Sequence, residues 1–414
     1  MKALPGFRDF FPEEAAVRRV IMEGWRRTAR GFGFEEYDGP MLEGLDLYAK
    51  KNAGGEEILG QLYRFEDGGG RSVALRPEMT PTLARMAGAR EKHYRKPMKW
   101  FSIGSFFRYE RQQRGRLREF LQLNADILGE KGPGADAELV AFALACLQEF
   151  GLGPGEVVVR LSHRGAWNRF FDEHGLDEAS RGRVLSVVDK LGREEEASAR
   201  ARLEGTGVDF DQLQKFISTD TPPELEEILA DLAARGLAGA VDVDLSIVRG
   251  LAYYTGPVFE IFDRARSLRA VAGGGRYDGL VGALGGGTGM PATGFAMGDV
   301  VLGELVQSVA TAAEAMAGRA ARERQIDVFV VVADEARRNE ALGLLSQLRS
   351  GGMRADLPLS QTKVGRQFAA AEAAGATHAV VVGSEWPRVK VKDLRSRSET
   401  EMDAGEIVTS CLAA

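Results

Sequence analysis

The sequence predicts an α+β protein: an antiparallel sheet flanked by helices, a small helical insertion, and a separate C-terminal α/β unit. Three observations predict it. The stretch Trp100–Asp126 reads as two antiparallel strands joined by the basic loop Gln112-Gln113-Arg114-Gly115. Side chains alternate between strand faces, so parity sorts them. In the second strand Arg116, Arg118, Phe120, Gln122, Asn124 and Asp126 share one face, against Leu117, Leu121, Leu123, Ala125 and Ile127 on the other. In the first strand Arg108 and Glu110 share a face, with Ile103 and Phe107 opposite. The apolar face calls for a helix layer behind it, and the polar face suits a planar ligand bearing phosphate, because Arg grips phosphate in a bidentate way. Second, residues 164–238 turn charge-rich and helical, with no catalytic constellation. Third, strands and helices alternate at short spacing from Ile326 onward, the pattern of a mostly parallel α/β sheet.

Taken in order, Pro12-Glu13-Glu14 starts a helix with acids in its first turn. Val17, Val20, Ile21, Trp25, Ala29 and Phe32 carry it over 12–31, and an extended segment follows to Pro40. Strands 62–65 and 72–75 flank a Gly-rich turn at 67–70, a hairpin signal. The second strand ends at Arg76-Pro77 and presents Glu78 and Thr80, a carboxylate and a hydroxyl placed to hold an ammonium group. Thr80 also suits the N-cap of the helix that Pro81 begins. A helix spans 136–150, a short buried strand 157–161, and strands 241–248 and 258–262. An Ala-rich helix over roughly 300–323 leads to strand 326–332, helix 335–349, strand 354–359, helix 361–374, strand 379–382 and the basic strand 388–394. These predict domains at 1–163, 164–238, 239–318 and 325–414, the first and third forming one body.

Composition excludes several classes. With 44% apolar and 28% charged residues the chain is globular, and its net charge of −6 argues against an indiscriminate polyanion binder. Glycine, at 51 of 414, exceeds the roughly 7% norm and clusters where backbone can approach a ligand. Cys146 and Cys411 make no disulfide framework and fit a reducing compartment. The N-terminus lacks a signal-peptide core and no apolar run is long enough to span a membrane, so a cytoplasmic protein without a membrane partner is expected. His93, His163, His174 and His378 show no metal-ligand spacing, and there is no P-loop, no GxSxG and no Rossmann fingerprint.

Four motifs carry a resemblance. FRYERQQRGRLREF (107–120) resembles the second signature motif of class II aminoacyl-tRNA synthetases in its histidyl form, and the helix and strand over 12–40 resemble the first. RPEMT (76–80) resembles the element that grips the amino acid, while RGLAYYTG (249–256) and GGGRYDGL (273–280) resemble the two motifs specific to histidyl-tRNA synthetases. The C-terminal unit resembles the anticodon-binding domain of that family, with Lys363, Arg366, Lys390 and Lys392 as candidate phosphate contacts. The resemblance implies a six-stranded antiparallel catalytic sheet, a homodimer, and ATP-dependent activation of L-histidine with Mg²⁺, followed by transfer to tRNA(His).

It also implies roles. Arg249 and Arg108 are the catalytic candidates, Arg249 through a guanidinium aimed at the α-phosphate. Glu78, Thr80, Arg108, Gln122, Asp126, Tyr253, Tyr254 and Tyr277 are the histidine-binding candidates. Arg108, Glu110, Arg116 and Phe120 are those for ATP, and Arg111 and Gln113 those for the tRNA acceptor end. No resident metal site is expected.

Three positions depart from the family pattern. Ala252 stands for the usual Asp, and Asp126 for a frequent Glu. Gly298-Asp299-Val300-Val301 lacks the arginine that normally covers the adenine and meets the γ-phosphate, with Val301 in its place. Arg264, Arg266 and Arg269 are the candidate substitutes. The lost arginine leaves two rivals: a non-catalytic histidine-binding regulatory subunit of ATP phosphoribosyltransferase, and a tRNA-binding or sensor module with a dead site.

Overall fold

A computed structural model describes residues 2–49, 55–111, 115–191, 194–218, 221–248, 254–285 and 289–407. The chain divides into two compact units, Met1–Asp9 with Ile21–Met316, and Phe10–Val20 with Ala317–Ala414.

Helix α1 (Pro12–Gly31) carries Glu13 and Glu14 in its first turn, where the helix dipole favours anions. Its strands follow as β1 (Glu35–Glu36) and β2 (Leu42–Gly44), then short helices α2 (Asp46–Ala49) and α3 (Gly55–Gly60). Strands β3 (Arg64–Glu66) and β4 (Ser72–Leu75) form the predicted hairpin, and β2 adds to it as a third strand. Helix α4 (Thr80–Ala89) starts after the proline-bearing turn; Met79 rather than Thr80 occupies the cap position, and no side chain caps it.

The main sheet is built on β5 (Met98–Phe107) and β6 (Glu119–Leu128), and helix α5 (Gly134–Gln148) follows β6 and packs on β6 and β11. Strand β7 (Val157–His163) leads into helices α6 (Arg164–Glu173), α7 (Glu178–Val188), α8 (Glu196–Leu203), α9 (Phe210–Ile217) and α10 (Glu226–Ala234). The chain then returns through β8 (Val241–Val243), β9 (Pro257–Asp263), β10 (Ala272–Arg276), helix α11 (Leu280–Gly285) and β11 (Ala292–Gly298) to helices α12 (Asp299–Ser308) and α13 (Ala310–Arg324). The order across the sheet is β1-β5-β6-β11-β10-β9-β7-β8. The six central strands pair antiparallel, and β1 and β8 add parallel pairings at the two edges. Leu121, Leu123, Ala125 and Ile127 are buried on the helix-covered side, as their parity requires. The helical insertion has its own core around Trp167, Phe171, Val184 and Leu213, which continues onto Ile247, Val248 and Val258.

The C-terminal unit carries β12 (Val328–Val332), β13 (Ala355–Asp356), helix α14 (Arg338–Ser350), helix α15 (Val364–Ala373), β14 (His378–Val382), β15 (Arg388–Asp393) and β16 (Glu399–Asp403). Its sheet runs β13-β12-β14-β15-β16, with two parallel pairings followed by two antiparallel ones. Buried Gln367 fastens α15 to the sheet, its amide accepting from Val332 N and donating to Val332 O and Thr362 O.

Four expectations change. The helix over 300–323 is two helices broken at Val309, whose extended backbone (φ −109°, ψ 107°) ends α12. The strand over 241–248 stops at Val243, because Asp244 turns the chain by accepting from Ser246 N and Ser246 Oγ. The strand over 354–359 shrinks to Ala355–Asp356. The sheet that was expected to be mostly parallel is mixed, because β15 runs antiparallel to β14 and an acidic strand, Glu399–Asp403, returns antiparallel beside β15, setting Lys390 3.6 Å from both Glu399 and Glu401. Lys390 is thereby tied to carboxylates, and Lys392 lies over the Phe368 ring at 5.4 Å, while Lys363 and Arg366 stay exposed.

Candidate active site

Strands β5 and β6 pair in register over ten residues, from Met98↔Leu128 to Phe107↔Glu119. Gln122, Asn124 and Asp126 therefore face the same side, opposite Gly104, Ser102 and Trp100. Strand β11 lies on the other flank of β6, with Gly294 opposite Asp126 and Ala296 opposite Asn124. A Cβ at Gly294 would fall 1.9 Å from Asp126 Oδ1, so only glycine leaves the carboxylate room.

These side chains line a cavity of about 270 Å³ together with Ile58, Glu78, Thr80, Arg108, Tyr254, Gly273 and Tyr277. Its polar groups are of an unusual kind. Tyr277 Oη donates to Asp126 Oδ1, and burial pushes the Asp126 carboxyl up to about 7 against that bond. Burial likewise pushes Glu78 up to about 7, with Arg108 pulling the other way. Glu78 Oε1, Gln122 Oε1 and Asn124 Nδ2 are buried and make no hydrogen bond among the described residues. Such groups are costly without a partner, so the cavity is built for a small, polar, cationic guest.

The RPE-x-T segment is held by Arg76, which is almost fully buried. Its Nε donates to Ser105 O at 3.0 Å and its Nη1 to Gly39 O at 2.8 Å, and its guanidinium lies 4.7 Å from the Phe106 ring centroid. Arg276 plays the matching part on β10. It donates to Asp136 Oδ2 at 3.1 and 2.7 Å, to Glu130 O at 3.0 Å and to Gly132 O at 3.1 Å, which fixes the neighbouring Tyr277. Neither arginine stood out in the sequence as a strut, since a buried guanidinium leaves no signal beyond its motif.

A second cavity, about 850 Å³, adjoins the first and shares Arg108, Gln122, Gly273 and Ala296 with it. Glu110, Arg116 and Phe120 line it as well. Arg108 Nε donates to Pro77 O at 2.9 Å, and its guanidinium lies 5.4 Å from the Phe120 ring. Arg116 and Glu110 pair at 2.8 Å. Both Arg108 and Arg116 lie beyond the ends of the regular strands, because β5 stops at Phe107 and β6 starts at Glu119. Glu260 lines the same cavity, and no group of three His, Cys, Asp or Glu placed to hold a metal occurs among the described residues.

Of the sequence-predicted residues, the structure gathers Glu78, Thr80, Gln122, Asp126, Tyr254 and Tyr277 at the small cavity and Glu110, Arg116 and Phe120 at the large one, with Arg108 on both. Arg111 is exposed. Arg249, Tyr253, Gln113 and Ala252 lie outside the described residues. Asn124 and Ile58 line the small cavity without having been given a role; parity had put Asn124 on the right face, and nothing local marked Ile58. Asp299, at the altered third motif, turns away from both cavities to accept from Arg8 Nη2 at 2.7 Å and Leu121 N at 3.0 Å.

Residues 6–299 match the family profile described as histidyl-tRNA synthetase, and residues 327–413 that of the anticodon binding domain. The chain belongs to the histidyl-tRNA synthetase family. It is 43% identical to the histidine–tRNA ligase of Opitutus terrae over 98% of this chain and 97% of that one. It is 36% identical to the chloroplastic/mitochondrial histidine–tRNA ligase of Arabidopsis thaliana, over 97% and 85%. In three dimensions it resembles the crystal structure of apo histidyl-tRNA synthetase from S. aureus, with a TM-score of 0.74 at 25% identity over 99% of both chains. The Nostoc sp. PCC 7120 histidyl-tRNA synthetase shares the fold at a TM-score of 0.78, covering 100% of this chain and 99% of that one at 22% identity. A histidyl-tRNA synthetase match continued by an anticodon binding domain favours the ligase over the regulatory subunit.

Proposed function

We propose that the small cavity holds L-histidine and the large one ATP, and that the chain joins histidine to AMP and then to tRNA(His). The observation that supports this best is the junction at Arg108, where a pocket with two buried carboxyls opens onto a larger cavity lined by arginines. The histidine ammonium meets Glu78 and Thr80, and the imidazole meets Asp126 and the Tyr277 hydroxyl, with Gln122 and Tyr254 beside them; a histidine-binding role for Tyr253 rests on the family resemblance. The substrate carboxylate then lies toward Arg108 and attacks the α-phosphorus, forming the acyl phosphate bond as the bond to pyrophosphate breaks. No protein nucleophile is needed. Arg108 and Arg249 neutralise charge gathering on the α-phosphate, the kind of stabilisation that dominates phosphoryl-type transfers. Arg116 holds the outer phosphates, Phe120 stacks on adenine, and Glu110 accepts from its amino group.

Magnesium fits as a companion of the nucleotide. Glu260 on the cavity wall would supply one carboxylate to an ion otherwise held by phosphate oxygens and water, which would add positive charge at the phosphates. Arg111 and Gln113 serve the acceptor end of the tRNA, and the C-terminal unit binds its anticodon. The homodimer and the cytoplasmic location rest on the family; no single helix among the described residues is long and apolar enough to cross a membrane.

Purified protein is expected to catalyse histidine-dependent exchange of pyrophosphate into ATP. Histidine binding without exchange would instead support the regulatory reading. Glu78→Gln is expected to weaken histidine binding at pH 8 by about 30- to 1,000-fold, the cost of removing one partner from a buried charge pair. The sign of its pH dependence is fixed. A carboxyl raised to about 7 is neutral below that value, so the wild-type charge is lost as pH falls through 7. The gap between wild type and variant should therefore shrink toward pH 5.5, which calorimetric titration at both pH values checks.

A further inference from the structure

We propose that Asp299, steadied by Arg8, is a positioning residue of the nucleotide site: with Gly6 it holds the end of β6 that carries Phe120 in place for ATP. The proposal rests on the reading of the large cavity as the ATP site. It starts from the backbone hydrogen bonds of β6. Strand β11 ends at Gly298, opposite Gln122, so it stops two residues short of Phe120. The N–H groups of Arg118, Glu119 and Leu121 therefore need other partners, and leaving such groups buried and unpaired is costly. Leu121 is only 2% exposed, so water does not serve it.

Two groups take over where β11 stops. Asp299, the first residue of α12, turns its side chain back so that Oδ1 accepts from Leu121 N at 3.0 Å. Gly6 O, in the segment ahead of α1, accepts from Arg118 N at 3.0 Å and Glu119 N at 3.1 Å. Arg8 ties the two together by donating from Nη2 to Asp299 Oδ2 at 2.7 Å, and Asp299 is only 6% exposed. The segment is seated by Phe7, whose ring lies edge-on to Tyr63 at 6.0 Å and 6.5 Å from Phe107. Gly6 has φ +87°, and a Cβ there would fall 2.7 Å from Arg118 Cγ, so the close approach needs glycine. The histidine pocket is supported differently: Gln122, Asn124 and Asp126 pair with Gly298, Ala296 and Gly294 through strand backbone. The altered third motif thus serves ATP through the strand beneath it, not through a cation above it.

The test is exchange kinetics with Asp299→Ala, repeated without turnover by direct ATP titration. The variant leaves Leu121 N without its acceptor, so ATP must reorder the strand end as it binds. The KM for ATP should rise about 5- to 30-fold, while the KM for histidine stays within about threefold. Asp299→Asn keeps an oxygen for Leu121 N and should recover most of the loss. Gly6→Ala disturbs the same strand end without touching Asp299, and should also raise the KM for ATP more than that for histidine. An ATP KM within about twofold of wild type in both Asp299→Ala and Gly6→Ala would overturn the proposal. So would an equal rise in the two KM values, or an Asp299→Asn protein no better than Asp299→Ala. Wild-type protein without any exchange would instead remove the ATP reading beneath it.

Discussion

Arg108→Ala is expected to lower kcat/KM for histidine activation by about 10³-fold or more while leaving the protein folded. The size follows from position. Arg108 lies on both cavities, its backbone N–H donates to Arg118 O at 2.9 Å, and its Nε is anchored on Pro77 O. Its guanidinium borders both cavities, so in the proposed reading its charge lies where carboxylate and α-phosphate would meet. Two losses then combine. The transition state loses a preorganised cation, typically worth about 3–4 kcal/mol. Glu78 also loses the neighbour that lowers its pKa, so it rises from about 7 and is mostly neutral at pH 7, where the proposed contact with the ammonium needs its charge. Arg108→Lys should retain part of the activity. A kcat/KM for Arg108→Ala within about tenfold of wild type would show that the cavities do not communicate through this residue.

The second large effect is on stability. Arg276→Met is expected to cost about 3–5 kcal/mol of unfolding free energy at pH 8, because Asp136 is left charged and buried with nothing opposite. Arg276 and Asp136 are 7% and 6% exposed, and the guanidinium also bonds two carbonyls and the half-exposed Asp278 carboxylate at 3.3 Å. Burial already raises the Asp136 pKa, and Arg276 is the largest influence holding it down. Without Arg276 the carboxyl rises further and takes up a proton as pH falls, so the deficit should narrow toward pH 5. Arg276→Met with Asp136→Leu removes both charges and should be milder than the single change. Denaturant unfolding of the three proteins at both pH values reads this directly. Histidine affinity should fall in the single variant too, because Tyr277 loses its anchored neighbour.

The parts of this fold that were legible in the sequence are those where periodicity and chemistry agree. Strands β5 and β6 alternate over ten residues, so the face bearing Gln122, Asn124 and Asp126 could be read from parity, although parity leaves their register open. The Val-rich strand β12 and the capped hairpin of β3 and β4 announced themselves equally well. What stayed hidden has a physical reason in each case. Strand β16, Glu-Thr-Glu-Met-Asp, offers no apolar face, being an exposed edge held by backbone pairing and by Glu399 and Glu401 against Lys390. The break between α12 and α13 lies inside continuous helix-forming composition and depends on the backbone at Val309. Arg264 and Arg266 look alike in sequence, and only the Pro154 and Gly239 carbonyls that Arg264 holds mark it as structural.

Aminoacylation is the most direct measurement of what the two joined cavities do. Purified protein supplied with ATP, Mg²⁺ and labelled L-histidine is expected to charge a histidine-accepting tRNA and no other tRNA. The reaction should not proceed with amino acids lacking a side chain able to bond both Asp126 and Tyr277. Tight histidine binding without adenylate or charged tRNA, under conditions where the protein is folded, would contradict the assignment.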